Sequence, residues 1–104
     1  MSLNIGEVLK DMADAMKDSV REDVGDISEY AKQILENKKE SLEELGAARL
    51  SGEIDDEIFD REINREKTVV ETELLTIQIM TKAQAQKAVN AAIDVFVQAV
   101  KVAL

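Results

Sequence analysis

A chain of 104 residues with 22 acidic and 13 basic side chains, a net charge of −9 and no His, Cys, Trp or Pro is long enough for one small domain. Its acidity makes it a poor match for nucleic acid, because binding phosphates needs a basic face. Missing His and Cys remove Glu-x-x-His di-metal bundles and Cys/His zinc sites. Apolar residues form 45 % of the chain and aromatics only 3 %. That composition predicts narrow Ala, Val, Ile, Leu and Met seams between helices, not disorder.

The first helix is expected to open at Asn4. The Asn4 side chain is placed to cap, Glu7 follows three residues on, and Leu3 and Val8 take hydrophobic-staple positions. An apolar stripe then reads Ile5, Val8, Met12, Met16, Val20, Val24, Ile27, Ala31 and Ile34, and resumes after Lys38 at Leu42 and Leu45. Its mean step is about 3.6 residues, as in an unstrained helix. Met12 and Met16 read as core filler. Gly25 is the place where a kink or break is expected. Ser51-Gly52 supplies a left-handed C-terminal turn.

The second helix repeats the entry device, with Ile54 before Asp55 as N-cap and Phe59 at the staple position. Its stripe reads Phe59, Ile63, Val70, Leu74 and Ile77, then Ala85, Ala88, Ala92, Phe96, Ala99 and Ala103. Acids crowd its first turns, and Lys82, Lys87 and Lys101 lie toward its end, which suits the helix dipole. The expected fold is therefore all-α. It is a single helical-hairpin domain over 1–104, with helix 1 at about 4–50, a turn at 51–54 and helix 2 at about 55–103. Each arm would be on the order of 70 Å long. Residues 1–30 carry net −5 and residues 74–104 net +2, which favours the antiparallel arrangement. The charged stretches 36–44 and 60–73 read as an arm projecting from the packed end, with a solvated surface.

Residues 89–104 carry the main functional expectation. Beside the Ala seam runs a second one, Val89, Ile93, Val97, Val100 and Leu104, widened by Val95 and Val102. One partner helix covers a stripe of roughly 100°, so helix 1 alone cannot hide both seams. Those five residues are expected to form an oligomer interface, giving a dimer or tetramer with a bundle of four or more helices. Another helical protein is the other candidate partner.

No catalytic, cofactor-binding or metal site is expected. There is no phosphate loop, Ser elbow or dinucleotide fingerprint, and Asp55, Asp56, Glu57 and Asp60 lack EF-hand spacing. Asn90 and Asp94 are expected to face water. Ala88 to Leu104 is interrupted by Asn90, Asp94, Gln98 and Lys101 and is shorter than the ~20 residues that span a bilayer. No signal peptide is read at Met1-Ser2-Leu3-Asn4-Ile5, so a cytoplasmic location is expected, or export without a leader.

Gly52-Glu53-Ile54-Asp55-Asp56-Glu57-Ile58-Phe59 resembles a Gly–Glu–Ile turn that precedes helices in many bacterial proteins. In length, acidity and central turn the chain also resembles the WXG-type exported hairpins. Leu50-Ser51-Gly52 stands where that family has Trp-x-Gly, and no Tyr-x-x-x-Asp/Glu follows helix 2. The resemblance implies a small secreted helical hairpin or its chaperone; a phage-type structural component is a further reading. The leading expectation is a non-enzymatic, homo-oligomeric protein with a structural, scaffolding or adaptor role.

Overall fold

In the computed structural model, which describes residues 3–104, the apolar spacing resolves into five helices: α1 (Ile5–Val24), α2 (Ser28–Asn37), α3 (Lys39–Ser51), α4 (Asp56–Thr76) and α5 (Lys82–Ala103). The chain is all-α. The two uninterrupted rods expected over 4–50 and 55–103 are replaced by shorter pieces, and the longest dimension is 39 Å. The hairpin has been folded in half again. α2 and α3 act as one kinked rod, so four layers run alternately up and down in a single-chain bundle, with α1 beside α5 and α5 beside α4. No helix among the described residues is long and apolar enough to cross a membrane.

Each reversal has a local cause. Helix α1 starts where expected, with Asn4 Oδ1 accepting from the Glu7 N–H at 3.2 Å. It ends at Gly25, whose φ of 95° is a backbone state that favours glycine. Asp26 then starts α2: its Oδ1 accepts from the Ser28 N–H at 2.9 Å and also from the Ser28 hydroxyl. Ile27, almost wholly buried, plugs the turn into the core. Hydrogen bonds from the Ser28 hydroxyl, and next from its N–H, hold the Asp26 carboxyl below its ordinary 3.8. A carboxyl lowered in this way stabilises the fold above its unfolded pKa, and the contribution is lost as pH falls through the folded value. Wild type should therefore exceed Asp26→Asn in urea stability at about pH 6, with the gap narrowing as pH falls below 3.8. A gap independent of pH would mean that the charge is not what caps α2.

The kink between α2 and α3 falls at Lys38 (φ −100°, ψ 1°). Its Nζ lies 2.8 Å from Glu66 Oε2, while Ser41 Oγ donates to Glu66 Oε1 at 2.7 Å. The ammonium contact is a charge pairing without the alignment of a hydrogen bond. Stretches 36–44 and 60–73 are thus tied across the bundle through Glu66, with Leu42, Ile63 and Val70 buried. They do not project as an arm. The next turn is the expected one. Gly52 is left-handed at φ 83°, Asp55 Oδ1 caps the Ile58 N–H at 2.9 Å, and Arg49 grips Asp56 at 2.8–2.9 Å.

The break between α4 and α5 corrects the expectation of one helix over 55–103. Gln78 adopts φ 57°, rare for a residue with a side chain, and helix resumes at Thr81. There Thr81 Oγ1 accepts from the Gln84 N–H (3.2 Å) while Gln84 Oε1 accepts from the Thr81 N–H (2.9 Å), a reciprocal capping box. Thr81→Ala should cost about 1 kcal/mol in denaturant unfolding. Wild-type stability in that variant would show that the box is not what restarts α5.

Doubling back gives α5 more neighbours than one. Phe96, fully buried, stacks on Phe59 of α4 with ring centroids 6.2 Å apart. Gly46 of α3 comes close enough to α5 that a Cβ there would meet Phe96 Cζ at 3.6 Å and Val100 Cγ2 at 3.7 Å. On α1, Met12 and Met16 are fully buried. Val89, Ile93 and Val100 are at most 1 % exposed, so three of the five expected interface residues belong to the protomer's own core. The requirement for further copies that rests on them falls away, because α1, α3 and α4 together cover the arc that one partner helix cannot.

Candidate functional site

An apolar groove lies open between the start of α1 and the end of α5. These helices run antiparallel, so Leu3, Asn4, Glu7, Val8 and Asp11 face Val95, Gln98, Ala99, Val102 and Ala103 across a groove of about 460 Å³. The groove exists because α1 turns Ile5, Leu9 and Met12 into the core, leaving Val8 at its edge. Ala99 and Ala103 are too short to fill the flank opposite. Val102 stands on that flank 78 % exposed. A β-branched side chain left in water forgoes about 1.5–3 kcal/mol that covering it would return.

Among the described residues that line the groove there is no nucleophile and no metal-ligand constellation. Among the described residues no three His, Cys, Asp or Glu are grouped to hold a metal ion. It offers an apolar floor and one charged wall, Glu7 and Asp11, at the i, i+4 spacing that keeps them on one face of α1. Such a surface can hold another apolar surface in place and discriminate by charge.

Of the five interface candidates, Val89, Ile93 and Val100 sit in the core, as described. Val97, half-buried, and Leu104, exposed, border with Val100 a smaller cleft of about 190 Å³ on the α4 side, beside Arg49, Asp56, Phe59, Asp60 and Lys101. The structure therefore keeps Val97, Val100 and Leu104 together and places Val89 and Ile93 apart from them in the core, and none of the five lines the α1/α5 groove. Val95 and Val102 were legible as additions to the apolar seam. The parts of the groove not anticipated as a site include Leu3 just before α1, Glu7, Val8 and Asp11 of α1, and Ala99 and Ala103 of α5. Their signal is the i, i+4, i+7 row Val95, Ala99, Val102, a face distinct from Val89, Ile93, Phe96 and Val100. Asn90 and Asp94 do face water.

Comparison of the chain with protein-family models, with curated proteins and with solved structures gives no match.

Proposed function

We propose that this is a non-enzymatic helical adaptor or scaffolding protein that works by protein–protein contact through the α1/α5 groove. The observation that carries this reading is a groove with an apolar floor and a carboxylate wall, left open beside a core that already closes on itself. Contiguous exposed apolar surface rimmed by polar residues marks protein–protein contact sites. The groove also lies between two long helices, where a third can be laid.

Homo-oligomerisation belongs to the same class of reading, with the α1/α5 groove as the contact in place of Val89, Ile93, Val97, Val100 and Leu104. The exported-hairpin alternative rests on length, acidity and a central turn, and a four-layer bundle departs from a single long hairpin. No observation favours a phage-type role over an adaptor.

A photo-crosslinking amino acid placed at Val102 in cells should give discrete protein adducts that are absent when it is placed at Asn64, exposed on α4. Adducts of equal yield and identity from both positions would overturn the reading.

A further inference from the structure

We infer that the α1/α5 groove receives a basic amphipathic helix from another polypeptide, laid along the acidic flank of α1. The inference rests on the reading of the groove as a contact site and adds the chemistry of what fills it. At about 100° per residue, Glu7, Asp11, Asp14, Asp18 and Glu22 fall within an arc of about 80° on α1, and Glu7 and Asp11 of that row line the groove. All five are exposed. The row extends about 22 Å, four helical turns. The cations of α1, Lys10, Lys17 and Arg21, lie on the neighbouring arc turned away from the groove. Of these, only Lys17 approaches the row, at 3.8 Å from Asp14.

The opposite wall carries no charge, since α5 contributes Val95, Gln98, Ala99 and Val102 there. One long edge is therefore anionic and the other neutral and apolar, with a floor of small side chains that lets a helix approach closely. A helix with Leu or Ala at i, i+4, i+7 and Lys or Arg along one flank satisfies both edges at once. A second copy fits less well. Each copy has a net charge of −9, and on the outer side of α4 Arg61 and Arg65 already lie 3.7 and 3.6 Å from Glu57 and Glu62. An anionic lipid surface would meet the same acidic row and be repelled.

The test uses the full chain and two labelled peptides of 22 residues. Both carry the same Leu/Ala stripe; one has Lys along its flank and the other has Glu at those positions. In anisotropy titrations the Lys peptide should bind roughly tenfold tighter than the Glu peptide, with the margin narrowing at high salt. Glu7→Gln/Asp11→Asn/Asp14→Asn should erase that margin. The charge-matched control Glu43→Gln/Glu44→Gln/Glu57→Gln should keep it. Ala99→Leu, which fills the floor without changing charge, should weaken the Lys peptide about tenfold, while Val102→Asn gives a second, milder variant should Ala99→Leu melt early.

If Ala99→Leu and Val102→Asn both bind like wild type, the groove is not a contact site, and the adaptor reading fails with the inference. If they weaken both peptides alike and the two peptides bind equally, the groove stands as a contact site and the basic partner is overturned. Light scattering that finds a dimer dissolved by Ala99→Leu would overturn it in favour of a second copy.

Discussion

Phe96→Ala is expected to remove about 3–5 kcal/mol from the unfolding free energy, a large share of the 5–15 kcal/mol that a domain typically has. Phe96 is fully buried, stacks on Phe59 at 6.2 Å and approaches Gly46 of α3. Truncation removes the side chain that joins three of the four layers. Rigid neighbours on three helices can collapse only partly into the space, so the loss should lie in the upper half of that range. Urea titration would show it as a lower midpoint at unchanged slope. Tyr30→Ala, at a residue 42 % exposed, should cost far less. Comparable losses for the two would mean that Phe96 is not the joint between layers.

The second large effect concerns the tie at the α2–α3 kink. Lys38 and Glu66 are 15 % and 13 % exposed and in contact at 2.8 Å, with Ser41 donating to the other carboxylate oxygen. Glu66→Ala should cost about 2 kcal/mol, because it strands the Lys38 ammonium at a largely dry site and leaves Ser41 without its acceptor. Lys38→Met/Glu66→Leu replaces both charges with apolar volume and should cost less than Glu66→Ala alone. A double variant that loses the sum of the single losses would show two independent contributions and no pairing.

Signals confined to a few neighbouring residues were legible in the sequence. Asn4 and Asp55 as caps, the left-handed Gly52 and the weak point at Gly25 are all statements about adjacent residues, and the structure carries each of them. The break at 77–81 was equally local. Thr81-x-x-Gln84 is a capping-box pattern, and the apolar row skips from Ile77 to Ala85. The skip passed as continuity because Ala85, Ala88 and Ala92 resume a helical period that hides a change of axis.

The kink at Lys38 was beyond reach for a different reason. Its partner Glu66 is on another layer, and the residues around Lys38 have no breaker. The placement of the site follows from the same limit. Val89, Ile93 and Val100 were read as surplus because only one neighbour was allotted to α5. How many helices surround a face is a tertiary fact, and allotting three moves the exposed surface to Val95, Ala99 and Val102.

The meeting of Leu3 and Ala103 on the two banks of one groove has a practical consequence. The two ends of the fold are neighbours, while the turn at 77–81, which holds the left-handed Gln78, sits at the far pole of the molecule. A circular permutant spliced by a short linker from Ala103 to Leu3 and reopened at Gln78 would keep the layer-to-layer contacts and relieve the strained residue. Its new ends, and any affinity handle fused to them, would lie at the pole opposite the groove mouth.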